Sequence, residues 1–330
     1  MDTILVRAKF FVLLVICFFT SACSTQHAAL SQTLPQHTEA ESARALPTAS
    51  IIQKDYTESM QSGGLTRTYY IHLPPSYQKG QPIPLVLAFH GSSATGKDLA
   101  RQSHLNDIAD TGNFIVVYPD GYQQQWADGR GTTPPDVDGV DDVSFVSDLI
   151  DKLAEELAVD KQRVYAVGMS NGGIFSERLA CERADKITAI ASVSGTMAQN
   201  ISQDCQPARP IPVLLFMGTD DASVPFEGGE VDGDQGIDLS TADTIQQWVD
   251  HDTCDPTPVT TEAPPATNDG TSVLRTSYSS CKEDADVVLY TIEGGVHTWP
   301  GSGEPVQPAE SQTHLDASQV IWEFFQHYHQ

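Results

Sequence analysis

The stretch from Gly168 to Gly173 reads Gly-Met-Ser-Asn-Gly-Gly and places Ser170 among three glycines. It stands between an apolar, β-branched run at 163–167 and a helix-forming run at 174–180. A G-x-S-x-G sequence in this context predicts a sharp strand-to-helix turn with the serine strained at its tip, where a Cβ at the glycine positions would clash. An ordinary glycine-rich turn has the same letters, so a base, an acid and an oxyanion site must be sought elsewhere in the chain.

Strands alternate with helices on both sides of this turn. A helix is predicted over 142–157, capped by Asp141 or Asp142, and the chain closes with a helix around 320–325. This alternation implies an α/β fold with a mostly parallel sheet covered on both faces, and functional groups at the carboxyl ends of its strands. The predicted strands are 67–74, 84–89, 114–118, 163–167, 189–193, 212–217 and, after a loop flanked by cysteines, 287–292.

Three loops that follow predicted strands carry the side chains of a nucleophilic centre. Ser170 comes first, the turn with Asp220 and Asp221 second, and a Gly- and Pro-framed loop with His297 third. This is the chain order of the catalytic residues in α/β-hydrolases. A serine hydroxyl needs an imidazole to take its proton and a carboxylate to orient that ring. We therefore predict Ser170 as the nucleophile, His297 as the base and Asp221, which lies deeper in its turn than Asp220, as the acid.

Two backbone amides are expected to form an oxyanion hole. One belongs to Asn171, directly after the nucleophile. The other lies in the loop after strand 84–89, where Ser92 is the first choice and Ser93 the alternative. His90 opens this loop, but it precedes the nucleophile in the chain, so we expect it to shape the loop rather than act as the base.

Two tryptophans are candidates for the substrate pocket. A flat aromatic surface suits a phenolic or polymer-derived acyl group, and Trp126 and Trp299 both lie in loops with glycine. A purely structural role is the alternative for each. With His90 beside the oxyanion loop, they complete the predicted substrate-binding set.

Residues 1–22 are predicted to be a secretory signal. Arg7 and Lys9 precede an apolar segment at 10–19, which is too short to span a membrane. Cys23 follows directly after small residues, which favours a lipoprotein signal with Cys23 lipidated as the first mature residue. Ordinary cleavage nearby would instead release a soluble protein. Either way we expect an exported protein, in the bacterial cell envelope or secreted.

Composition separates a tether from a catalytic domain. Residues 23–61 are rich in Ser, Thr, Gln, Ala and His, which is typical of a flexible tether, and residues 62–330 are expected to form one domain. The 44 Asp and Glu residues outnumber the 18 Lys and Arg residues, for a net charge of −26. Such a surface repels nucleic acid and anionic lipid. We expect a monomer that meets the membrane only through its lipid anchor.

Four cysteines remain outside the signal region, an even number in an exported chain. They predict two disulfides, and the sequence leaves all three pairings open. CxxC spacing is absent, so no zinc or other metal site is expected. The four residues are Cys181, Cys205, Cys254 and Cys281.

An ordered set of motifs carries a family resemblance. From about residue 62 to the C-terminus, the chain resembles the polyhydroxybutyrate depolymerase and feruloyl esterase group of carbohydrate esterase family 1. The chain departs from residues that are common in that family at three positions. Met217 stands in place of His, Ser144 in place of Gly and Ser92 in place of Cys. The motifs are HGSS at 90–93, YPDG at 118–121, WADGRG at 126–131, VDDVSF at 140–145, RVYAVGMSNGG at 163–173, GTDDASVP at 218–225, GGVHTWPG at 294–301 and DASQVIWEFF at 316–325.

The resemblance implies an α/β-hydrolase fold and a serine esterase that needs no cofactor. It implies the same triad and the Ser92 amide in the oxyanion hole. It also implies a Cys254–Cys281 disulfide, which leaves Cys181–Cys205 as the second. The expected substrates are short hydroxyalkanoate oligomers or feruloyl and acetyl esters. The alternatives are a peptidase of the same fold and a surface-tethered binding protein that keeps an inactive hydrolase scaffold.

Overall fold

The computed structural model describes residues 54–233, 235–263, 272–302 and 315–330. The predicted signal, Cys23 and the predicted tether up to residue 53 lie outside the described residues. Within the described ranges, no helix combines the length and the apolar character that a membrane span requires.

The strands follow the apolar runs of the sequence. Those predicted at 84–89, 114–118, 189–193, 212–217 and 287–292 are confirmed to within one residue. The strand before Ser170 begins earlier than predicted, at Val159. The strands are β1 Asp55–Ser62, β2 Leu65–His72, β3 Ile83–Phe89, β4 Ile115–Pro119, β5 Val159–Met169, β6 Ala189–Val193, β7 Val213–Gly218, β8 Gly229–Glu230, β9 Ile237–Asp238, β10 Val259–Glu262, β11 Ser272–Tyr278 and β12 Val287–Glu293.

The helices connect these strands and close the chain. The helix predicted over 142–157 is confirmed with the same bounds, and Asp141 caps it by accepting a hydrogen bond from the Ser144 amide at 2.9 Å. The helices are α1 Gly96–Ser103, α2 Leu105–Gly112, α3 Pro134–Asp138, α4 Asp142–Leu157, α5 Asn171–Arg183, α6 Gln199–Ser202, α7 Thr241–His251 and α8 Ala317–Phe325.

In the described part of the chain, ten strands form one sheet in the order β1-β2-β4-β3-β5-β6-β7-β12-β11-β10. The strands from β4 to β12 in this order pair in parallel, and the pairs at both ends of the sheet are antiparallel. β8 and β9 form a separate two-stranded ribbon. The predicted α/β architecture with a mostly parallel sheet is confirmed.

The central strands are buried on both faces. In β3, Leu85, Leu87 and Phe89 face the core under α4, α5 and α7, whereas Val86 and Ala88 face the core under α1, α2 and α8. Helices on both faces explain why this strand reads as a continuous apolar run rather than an alternating one.

Two predictions at the edges of the sheet are wrong. The predicted tether extended to residue 61, but β1 pairs with β2 over eight residues, so the domain begins by Asp55. The loop predicted between Cys254 and Cys281 contains β10 and β11. β1 and β10 are edge strands, and β11 is mostly half-buried. Their sequences are therefore polar and resemble loops.

Candidate active site

Ser170 lies at the tip of the predicted turn between β5 and α5. Its backbone has φ 54° and ψ −126°, a strained conformation for a residue with a side chain. The two glycines of the motif are required by close approach: a Cβ on Gly168 would overlap the backbone of Gly172, and a Cβ on Gly172 would overlap that of Phe89. The Ser170 amide donates to the Val193 carbonyl at 2.9 Å, which anchors the turn to β6.

Asp221 and His297 are joined by a hydrogen bond of 2.8 Å between Oδ2 and Nδ1. The Asp221 side chain is fully buried, and its other oxygen accepts the amides of Ser223 and Val224, both at 2.9 Å. Because a carboxylate only accepts, Nδ1 of His297 carries the proton and Nε2 is left as the basic nitrogen. The His297 ring is 23% exposed.

Asp220 points elsewhere. It is exposed, and its carboxylate accepts a hydrogen bond from the Thr219 hydroxyl at 3.3 Å. Its amide donates to the Gly295 carbonyl at 2.9 Å. The Gly294 amide in turn donates to Thr219 Oγ1 at 2.8 Å, so the loops after β7 and β12 are tied together. The structure thus brings Asp221, and not Asp220, onto His297.

Ser170 and His297 reach the same edge of the sheet because β5, β7 and β12 all run in parallel. Ser194, next to the residue that anchors the Ser170 amide, contacts the carbonyl of Thr298 through its hydroxyl at 3.4 Å. Among the described residues, no hydrogen bond joins the Ser170 hydroxyl to His297, so this contact stays a prediction. Catalytic hydrogen bonds are often long before substrate binds.

The predicted oxyanion donors lie on both sides of Ser170. Asn171 is the first residue of α5, where a helix leaves its amide without an intrahelical acceptor. Gly91 approaches so closely that a Cβ there would lie 3.3 Å from Ser170 Cβ. The Ser93 amide donates to the Gln124 carbonyl at 3.0 Å, whereas the Ser92 amide donates to no other described residue. The geometry therefore favours Ser92 over Ser93.

His90 supports the oxyanion loop from within the core. It is 1% exposed, its Nδ1 donates to the Gly91 carbonyl at 2.8 Å, and its Nε2 accepts the Gly121 amide at 2.9 Å. Burial lowers the pKa of His90, so the ring is neutral near pH 7. The prediction that His90 contacts substrate is wrong, since both ring nitrogens are engaged by backbone.

Both tryptophans are structural as well. Trp126 is completely buried, stacks on Phe175 with ring centroids 5.2 Å apart, and donates its indole N–H to the His90 carbonyl at 3.0 Å. Trp299 is 1% exposed and donates to the Ser318 hydroxyl on α8 at 3.1 Å. Their predicted contact with the acyl group is wrong, because each ring is enclosed by the core and its N–H is satisfied there.

Two further residues at the site were missed. The loop that carries Trp126 places Asp128 and Arg130 in the interior, and Asp128 accepts a hydrogen bond from the Asn171 side chain at 2.6 Å. The available signal was an acid and an arginine two residues apart in a glycine-framed loop, WADGRG. That pattern does not distinguish a buried pair from a solvated one.

Both disulfides that the resemblance implied are present. Cys181 at the end of α5 is bonded to Cys205, and Cys254 after α7 is bonded to Cys281. The described residues contain no group of three or more His, Cys, Asp or Glu side chains placed to hold a metal ion.

The parallel sheet, the strained serine and the Asp–His pair at its carboxyl edge define the class of α/β-hydrolase esterases. The chain belongs to the family described as "Putative esterase", whose sequence model matches residues 61–258. It is a carboxylic ester hydrolase of the feruloyl esterase-like group.

Several known proteins are similar to this chain. Putative esterase NocK of Nocardia uniformis subsp. tsuyamanensis is 33% identical over 260 residues, which are 74% of each chain. Feruloyl esterase D of Neurospora crassa is 26% identical over 289 residues, 83% of this chain and 86% of the relative. Feruloyl esterase B of Piromyces equi is 29% identical over 236 residues, which cover 70% of this chain but 42% of the relative.

Solved structures share the fold. An acetyl xylan esterase from Aspergillus awamori has a TM-score of 0.55 at 15% identity, covering 82% of this chain and 99% of that one. A CE1 ferulic acid esterase from Anaeromyces mucronatus has a TM-score of 0.52 at 13% identity, covering 83% and 90%. At these identities the likeness concerns the fold alone.

Proposed function

We propose that the protein is an exported serine esterase that cleaves feruloyl or acetyl esters through an acyl-enzyme on Ser170. The observation that carries the proposal is the 2.8 Å bond between Asp221 and His297 at the same sheet edge as the strained Ser170. Similarity to feruloyl esterases supports a feruloyl ester as the substrate. The two disulfides support an oxidising compartment outside the cytoplasm.

The proposed reaction has two steps. Nε2 of His297 takes the proton of the Ser170 hydroxyl while the oxygen attacks the ester carbonyl, and Asp221 stabilises the imidazolium that forms. The amides of Asn171 and Ser92 hold the negative oxygen of the tetrahedral intermediate. His297 then returns the proton to the leaving alcohol. In the second step, water activated by His297 releases the acid and restores Ser170.

Hydrolysis of methyl ferulate beside 3-hydroxybutyrate oligomers tests the proposal. We expect the purified mature chain to prefer methyl ferulate, and Ser170→Ala to lose about 10⁵-fold or more in kcat because the nucleophile is gone. Ser176→Ala is the matched control: its hydroxyl, also on α5, bonds the Gly172 carbonyl at 2.9 Å inside the helix. We expect this variant to keep its activity.

Each other outcome has a definite meaning. Preference for the oligomers would replace the feruloyl substrate with a hydroxyalkanoate and keep the mechanism. Activity that survives in Ser170→Ala would refute Ser170 as the nucleophile. A folded protein inactive on both substrates and on p-nitrophenyl acetate would support the inactive binding scaffold. Cleavage of peptides alone would support a peptidase.

A further inference from the structure

The loop WADGRG, residues 126–131, packs directly behind the nucleophile turn. Trp126, Ala127 and Asp128 are at most 1% exposed, and Arg130 is 4% exposed. None of these four side chains is placed to touch a substrate that enters from solvent. Their contacts therefore position other residues of the protein rather than the substrate.

The side chain of Asn171 is held by this loop at every polar position. Its Oδ1 accepts the Trp126 amide at 2.8 Å. Its Nδ2 donates to the Trp126 carbonyl at 3.1 Å and to Asp128 Oδ2 at 2.6 Å. One acceptor and two donor hydrogens are thus all engaged, and the residue is 1% exposed. A buried amide with fully satisfied bonds has one orientation.

Asp128 connects the Asn171 side chain to the buried guanidinium of Arg130. The Oδ2 that accepts Asn171 also accepts Arg130 Nη2 at 2.7 Å and Nε at 3.0 Å, and Oδ1 accepts the Arg130 amide at 3.1 Å. A buried ion pair stabilises a fold little compared with apolar side chains of the same volume. Its charge-assisted hydrogen bonds, however, are short and directional.

We propose that Asp128 is a positioning residue that holds Asn171, and thereby its backbone N–H, in the geometry of the oxyanion hole. This inference rests on the proposed function. The Asn171 amide follows the nucleophile directly, so a shift of its backbone moves the donor relative to the reacting carbonyl. Misplacement of a catalytic group by about 1 Å can reduce the rate about 100-fold.

The test is a cycle of three variants in the full mature chain. Asn171→Ala keeps the backbone N–H and the Asp128–Arg130 pair, but removes the side-chain anchor. Asp128→Leu with Arg130→Met removes the acceptor together with the arginine that pairs with it. The third variant combines all three changes. We expect each of the first two to lower kcat about 10- to 100-fold with KM within about twofold, since the loss falls on the transition state.

Non-additivity is the decisive result. If Asp128 acts through Asn171, the combined variant loses no more kcat than the worse of the two others. Affinity for phenylboronic acid, which places an oxygen in the same hole when it adds to the serine, should fall in parallel. The inference would be overturned if the losses in kcat of the first two variants multiply in the combined variant. It would also be overturned if Asn171→Ala keeps kcat within twofold of the parent.

A matched control separates positioning from loop stability. Asp142 is also buried, pairs with Arg67 at 2.6 Å and accepts the Ala127 amide at 2.8 Å, but makes no hydrogen bond to Asn171. We expect Asp142→Asn to lower the melting temperature but to keep kcat and boronate affinity. Loss of kcat there as well would make the loop merely structural. Failure of the proposed function would look different: the parent itself would lack hydrolysis that depends on Ser170.

Discussion

Asp220 and Asp221 are adjacent and chemically identical, but their surroundings differ. Asp221 is buried against His297 and receives two backbone amides, whereas Asp220 faces solvent beside Thr219. Hydrogen bonds from two amides and an imidazole fix the position of the Asp221 carboxylate, which in turn orients the His297 ring. The neighbouring aspartate is therefore a control that the chain itself supplies.

We predict that Asp221→Asn lowers kcat/KM for p-nitrophenyl acetate about 10³- to 10⁴-fold, because an amide no longer fixes the proton on Nδ1 of His297. Asp220→Asn should stay within about twofold of the parent. The measurement is kcat/KM for both variants at pH 8, with melting temperatures to confirm folding. A larger loss in Asp220→Asn would transfer the role of the acid to that residue.

At the level of residues, the sequence predicted the positions of the loops better than the burial of individual side chains. Ser170, Asp221 and His297 were predicted as catalytic residues because each follows a strand in the order that a nucleophilic centre requires, and the structure places Asp221 on His297. Trp126 and Trp299 were misplaced because an indole suits an acyl pocket and a core equally well. Which it joins depends on contacts with Phe175 and Ser318 that are distant in sequence.

At the level of elements, burial decided what could be predicted. The central strands, buried on both faces, were recognisable as apolar runs. β1 was missed because only one face packs against the core, through Tyr56 and Met60, while its other residues are polar. β10 is exposed along its whole length. An edge strand obtains its hydrogen bonds from a neighbour, and a single sequence does not reveal that neighbour.

Helix α5 contains an acid that makes stability depend on pH. Glu177 is fully buried and accepts the indole N–H of Trp248 at 2.6 Å. Burial raises the pKa of Glu177 to about 8, well above its unfolded value of 4.5. The folded protein therefore binds more protons than the unfolded chain between these values. The stabilisation is complete below pH 4.5 and is lost as the pH rises through 8.

In the parent, the free energy of unfolding should fall as the pH rises from 5 to 8. We predict that Glu177→Gln makes this fall less steep by about 1.4 kcal/mol per pH unit. Glutamine still accepts the Trp248 bond and does not ionise. Part of the slope remains, since burial also raises the pKa of Asp238 to about 8 and of Asp252 to about 7. Urea unfolding at four pH values measures the slope.

Glu182→Gln, an exposed change on the same helix beside Arg178, is the control and should leave that slope unchanged. An equal slope in Glu177→Gln and the parent would show that Glu177 is ionised in the folded protein at neutral pH.

At the level of the whole molecule, the contacts within the candidate site and the net charge of the chain have different effects. The loops after β7 and β12 are joined by short hydrogen bonds, whereas the excess of acidic residues, 44 against 18 basic ones, belongs to the chain as a whole. Like charges lie closer together in a folded domain than in the unfolded chain, and their repulsion opposes folding.

We predict that the melting temperature at pH 7.5 rises with sodium chloride from about 10 mM, where the Debye length is about 30 Å, to about 0.5 M, where it is well below 10 Å. The cause is screening of the net charge of −26. Near pH 4, close to the ordinary pKa of Asp and Glu side chains, much of that charge is neutralised and the salt effect should shrink.

Differential scanning calorimetry at both pH values makes the comparison, and sodium sulfate at matched ionic strength separates screening from the salting-out effect of the anion. An equal rise at both pH values would assign the effect to burial of apolar surface rather than to charge.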